Sequence, residues 1–216
     1  MTTVLYVHGL ESGPRGTKAR VLEQAGFRVV AAQMPCNRSA VVRDPFVIGT
    51  VLVALALLGV GTWALGWVGF LVAGVVLLGL RPFAKRWLVR RTVRRSIDVQ
   101  LAMLKSYPVD VVVGSSFGGA IALELLARGA WTGRTVLLCP AQRLVAERVG
   151  DTAPVLPSDV SRIVVVHGRQ DETVPLEHSR ALVAPRAARL IEVDDQHRLA
   201  NTATPENFKQ WIALTG

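Results

Sequence analysis

The 216 residues suffice for one domain with a sizeable core but not for two ordinary ones. Half of them are hydrophobic, the mean hydropathy is +0.36, and the net charge is +9. Both excesses are local. Residues 46–80 hold no charged side chain, while Arg81, Lys85, Arg86, Arg90, Arg91, Arg94 and Arg95 put seven cations into fifteen residues without one acid. The remainder of the chain is close to neutral, which argues against a general nucleic-acid binder. A basic stripe abutting an apolar run marks the cytoplasmic flank of a membrane segment, and its one aromatic, Trp87, comes with no nucleic-acid recognition motif.

In chain order, TVLYVHG (3–9) reads as a buried strand, followed by a loop and a helix near 15–25. FRVVAAQ (27–33) is a second strand, after which the apolar run intervenes. A basic helix follows over roughly 85–106, closed by Pro108. DVVVG (110–114) is the third strand and Phe117–Arg128 the next helix. TVLLCP (135–140), RIVVVHG (162–168) and ARLIEV (188–193) supply three more strands, and a last helix lies near Pro205–Leu214. These strands are continuously apolar, as strands of a parallel sheet covered on both faces must be. The alternation predicts an α/β fold with six parallel strands flanked by helices.

Two cysteines, Cys36 and Cys139, lie far apart and outside any CxxC or Cys/His cluster, so they read as reduced core thiols. MTTVLYVHGL has no basic leader and only a four-residue apolar run. It does not read as a signal peptide, and the globular part is expected in the cytoplasm.

Gly114-Ser115-Ser116-Phe117-Gly118 fits G-x-S-x-G between a predicted strand and a predicted helix. At such a turn the serine is held in a strained conformation, and glycines two residues away on either side prevent collisions. Only Ser116 satisfies the spacing. A serine hydroxyl needs an adjacent base oriented by a third group. Three histidines follow Ser116 along the chain, and His197, just after the sixth strand, stands where a base belongs. Asp171, after the fifth strand, is where the orienting acid belongs, with Glu172, Asp194 and Asp195 as neighbouring alternatives. His8 and His167 read as strand-end residues with structural roles, and His178 as a surface helix residue. For an oxyanion, the candidate N–H donors are Phe117, next to the nucleophile, and Leu10, in the loop after the first strand.

VHGLESGPRGTKA, GSSFGG, HGRQDETVP and DQHRL together resemble the α/β-hydrolase superfamily, most of all its small minimal serine esterases of the YqiA/RBBP9-like type. The resemblance covers about residues 1–35 and 100–216. It implies strand order 2-1-3-4-5-6, a triad of Ser116, Asp171 and His197, no cofactor and no metal, and an ester or thioester substrate. The departure is the insert.

FVIGTVLVALALLGVGTWALGWVGFLVAGVVLLGL is 35 residues long, too long for one spanning helix of about 20 and short for two. Topology decides. Two strands precede the run and four follow it, so a single crossing would leave one sheet on both sides of a membrane. The chain must enter and return. GVGTWALGW (59–67) marks the turn, and arms of about 15–18 residues would reach only roughly 22–27 Å. Seven glycines make the run an unusual soluble core helix. The expected organisation is a hydrolase domain formed by 1–44 and 96–216, with 45–95 an inserted transmembrane or re-entrant hairpin and its basic flank. The function expected is a membrane-anchored serine hydrolase, its domain on the cytoplasmic side, acting on lipophilic esters or thioesters and contacting membrane lipids, with no nucleic-acid partner. Self-association through the hairpin is left open. The competing reading is a non-catalytic membrane scaffold with the same fold.

Overall fold

The computed structural model describes residues 1–10, 12–36 and 42–216. Its centre is one six-stranded, all-parallel sheet of order β2-β1-β3-β4-β5-β6. The strands are β1 (Thr3–Val7), β2 (Arg28–Val30), β3 (Val111–Ser115), β4 (Arg134–Leu138), β5 (Ile163–Gly168) and β6 (Arg189–Val193). They are joined by α1 (Thr17–Gln24), α2 (Pro45–Ser106), α3 (Phe117–Ala127), α4 (Gln142–Val149) and α5 (Leu176–Val183), with α6 (Pro205–Ala213) last. The predicted six strands and their order are therefore present. β2 is shorter than 27–33, and α4 had no counterpart in the sequence reading.

Alternate residues of the continuously apolar strands serve two separate cores. Leu5, Val7, Val112 and Val165 face Ile97 of α2, Ile121 and Leu125 of α3 and Leu182 of α5. Val4, Tyr6, Val113, Val136 and Val164 face Ala19 and Leu22 of α1 and Phe208, Trp211 and Ile212 of α6. Burial on both faces explains why no strand alternates with polar residues. Cys36 and Cys139 are free thiols, both buried in these cores.

α2 is two helices joined by a sharp reversal. Gly66 has φ 59° and ψ −143°, a conformation open to glycine and costly for other residues. The arms meet close to the turn, where a Cβ on Gly69 would lie 1.9 Å from the carbonyl oxygen of Gly61. At the other end Phe46 stacks on Trp87 with ring centroids 3.6 Å apart, and Arg91 lies over both rings. Asp44 caps the first arm by accepting the Phe46 N–H at 2.9 Å, and its carboxylate also pairs with Arg91 and Arg95 of the second. The chain thus leaves the domain and returns to it.

The reach differs from the expectation. The uncharged run measures about 15–18 residues per arm, but the closed pair extends from Phe46 and Trp87 to Gly66. Each arm then has about 20 residues and a length of about 30 Å. The second arm carries Arg81, Lys85 and Arg86 within that length. The most apolar window of α2 holds no buried residue, and by length and composition the helix could cross a membrane. Past Arg91 the same helix becomes part of the domain, burying Ser96, Ile97 and Gln100.

Candidate active site

The site stands at the carboxyl ends of β3, β5 and β6, where open parallel sheets hold their ligands. β3 ends at Ser115 and α3 begins at Phe117, so Ser116 occupies the single joining residue. Its φ of 56° is in the left-handed region, and its carbonyl accepts N–H groups from Ala120 and Ala141. This strained turn requires its glycines for close approach. A Cβ on Gly118 would fall 2.0 Å from the Val7 carbonyl oxygen, and one on Gly114 2.7 Å from that of Gly118. Gly118→Ala is accordingly expected to cost about 3 kcal/mol or more, because backbone would have to move. A thermal melt close to wild type would contradict that.

His197 reaches Ser116 from the loop after β6, and Asp171 reaches His197 from the loop after β5. His197 Nδ1–H donates to Asp171 Oδ2 at 2.7 Å, since a carboxylate can only accept. That leaves Nε2 to accept the Ser116 hydroxyl proton at 2.9 Å. Asp171 Oδ1 takes the N–H groups of Thr173 and Val174, both at 2.8 Å. Burial opposes the charge on Asp171, but the His167, His197 and Val174 N–H groups outweigh it and hold the carboxyl well below the usual carboxylate range. The alternative acids are otherwise engaged. Asp195 is buried and accepts from Gln196, Asn201 and Thr202, closing the 195–202 loop. Asp194 accepts from Gln170 at the surface, and Glu172 is exposed.

The loop after β1 lies against the serine, so that a Cβ on Gly9 would be 3.4 Å from Ser116 Cβ. Leu10 follows in that loop. Among the described hydrogen bonds none engages the N–H of Leu10 or Phe117. His8 fixes the loop from behind: Nε2 accepts the Met34 N–H at 3.1 Å, so Nδ1–H donates to the Gly9 carbonyl at 2.8 Å. Burial lowers its pKa and keeps the ring neutral, in keeping with a structural role. His178 departs from the surface position expected of it. It is half-buried, and among the described residues its Nδ1 has no hydrogen-bond partner.

The sequence reading passed over what surrounds Asp171. His167 is fully buried with Nε2 3.2 Å from Asp171 Oδ2, and the Cys139 thiol lies within 4.8 Å of ligand atoms of both. Burial pushes that thiol up to about 12, so it stays protonated. A metal in this group would have to take one ring nitrogen of His167 from its present partner, the Ser179 hydroxyl or the Val174 carbonyl.

No protein-family profile matches the chain, and no curated protein matches it. Solved structures do. A protein assigned to the α/β-hydrolase superfamily from Xanthomonas campestris pv. campestris is 20% identical with a TM-score of 0.59, over 100% of this chain and 96% of that one. A protein assigned as a hydrolase from Agrobacterium vitis is 17% identical with a TM-score of 0.57, over 98% and 88%. The meta-cleavage product hydrolase CumD is 16% identical with a TM-score of 0.53, over 99% and 90%. At these identities the likeness is one of fold, and the fold is that of the α/β-hydrolases.

Proposed function

We propose that the protein is a membrane-anchored serine hydrolase of the minimal esterase type, cleaving carboxylic esters or thioesters of lipophilic acids. The reading rests on one observation: a serine in a strained strand-to-helix turn, hydrogen-bonded to a histidine that is itself held by a buried carboxylate. Ser116 Oγ attacks the acyl carbon while His197 Nε2 takes its proton. The carbonyl oxygen becomes an oxyanion, received by the N–H groups of Leu10 and Phe117, the latter at the N-terminus of α3. His197 then returns the proton to the leaving alcohol or thiol. Water, activated by the same imidazole, releases the acid and restores Ser116. Asp171 stays ionised and stabilises the imidazolium between these transfers. No step calls for a cofactor.

The hairpin supplies the anchor. Trp63 and Trp67 flank the turn and are exposed, while Phe46 and Trp87 close the other end. About 25–30 Å separates the two aromatic pairs along the arms, close to the apolar thickness of a bilayer. The cations beyond Trp87, Arg90 to Arg95, then belong to the cytoplasmic headgroup side, and the domain with them, while the long side chains of Arg81, Lys85 and Arg86 reach back toward it along the arm. Because α2 leaves toward the carboxyl ends of the strands, Ser116 faces the same side as the anchor. That placement favours bilayer-borne substrates.

The test compares the wild type with a variant lacking residues 46–80, assayed on short soluble esters and on long-chain esters dispersed in vesicles. The variant should keep most of its rate on soluble esters and lose at least about tenfold on vesicle-borne ones. Equal rates on both would separate the anchor from substrate choice. For topology, Leu65→Cys should react with an impermeant maleimide from the face opposite the domain. Protection from that face would replace a full crossing with a re-entrant loop.

A further inference from the structure

We propose that His167 is the positioning residue for Asp171, an assignment that rests on the serine-hydrolase reading above. His167 stands near the end of β5, its side chain fully buried. Its ring is held at both nitrogens. Nε2 lies 2.9 Å from the Val174 carbonyl oxygen, which can only accept, so the proton sits on Nε2. Nδ1 of the neutral ring then accepts the Ser179 hydroxyl at 2.7 Å. Partners on the 171–174 turn and on α5 therefore select one tautomer.

Val174 links this ring to the acid. Its carbonyl is held by His167, and its N–H donates to Asp171 Oδ1 at 2.8 Å. The turn is thereby fixed to β5 at the residue that fixes Asp171. His167 also acts directly. Its Nε2–H edge is 3.2 Å from Oδ2, the oxygen that receives the His197 proton at 2.7 Å. A partial positive charge there offsets part of the carboxylate charge that His197 would otherwise face alone. The titratable groups around the ring are Asp171, the Cys139 thiol at the end of β4, His178 on α5 and, beyond Asp171, His197.

A residue that only filled space would influence stability. A positioning residue also influences the reactivity of Ser116 and its dependence on pH. Without the Nε2–H edge, the carboxylate favours a protonated His197 more strongly, so the acid limb of the reaction moves to higher pH.

The experiment uses the full-length protein in vesicles and measures the rate of fluorophosphonate labelling from pH 5 to 9. His167→Leu should label at least about 30-fold more slowly, with the acid limb raised by about 0.5 pH unit. His167→Gln, whose amide nitrogen can reach the Nε2 position, should recover to within about fivefold of wild type. Ser179→Ala removes the donor that holds Nδ1 and so loosens the ring against Asp171, and it should give a smaller loss with a limb shift of the same sign, which decides the matter if His167→Leu does not fold. A folded His167→Leu with wild-type rate and profile would overturn the proposal. So would a slower rate with an unmoved limb and no recovery in His167→Gln. Wild-type protein that does not label would remove the serine-hydrolase reading itself, a result distinguishable from either.

Discussion

Ser116→Ala is expected to lower ester turnover by at least about a thousandfold while leaving the fold intact. The methyl group fits the strained turn as the serine does, because the hydroxyl makes no contact that the backbone needs. The Ser116 N–H still donates to the Leu138 carbonyl, and its own carbonyl still accepts from Ala120 and Ala141. Removing Oγ removes the atom that bonds to carbon, so His197 can only activate water from a poorer position. His197→Ala should fall by a similar factor, and combining the two should add little, since they act as one unit. Turnover of a soluble ester by the purified proteins checks this. A loss of less than tenfold in Ser116→Ala would mean that the nucleophile is elsewhere.

Asp171→Asn should cost about four orders of magnitude in kcat with the structure almost unchanged. Asparagine keeps Oδ1, so it still accepts from Thr173 and Val174 and the turn is retained. At the Oδ2 position it puts an amide N–H in front of two rings that both donate there. His197 can meet that group only by becoming the opposite tautomer, with its proton on Nε2 and none to accept from Ser116. The fully buried carboxylate is thus required for its charge and for its inability to donate. Kinetics alongside circular dichroism separates the two effects. A folded variant within tenfold of wild type would contradict the assigned role.

Particular residues show how far the sequence could be read. The parallel sheet followed from runs such as VVVG and IVVVHG, whose unbroken apolarity suits a sheet covered on both faces, whereas the strand order came only with the resemblance of the motifs. β2 was overestimated because Ala31 and Ala32 continue the apolar run, although the chain leaves the sheet after Val30. α4 was missed because it is short and buries only Gln142, Ala146 and Val149. The hairpin was legible from topology, since β1 and β2 must rejoin β3. Its length was not, because the closing contacts of Phe46 with Trp87 and of Asp44 with Arg91 and Arg95 join residues more than forty positions apart.

Within the site, chain order singled out Ser116, Asp171 and His197, and the structure brings these three together. What order could not settle was the choice among Asp171, Glu172, Asp194 and Asp195. That rests on which carboxylate is buried facing His197 and which closes its own loop. The setting of His167 was invisible for a similar reason. Val174 and Ser179 have no chemistry of their own to draw attention, and matter only through the ring they hold.

The most direct test of the account is fluorophosphonate labelling of salt-washed membranes carrying the wild type, Ser116→Ala or His197→Ala. The account predicts one labelled band of about 23 kDa in the wild type alone, retained on the membrane through the wash. Folded wild type that remains unlabelled would contradict it, and would leave the Ser116 turn as a structural bend in a membrane-bound scaffold.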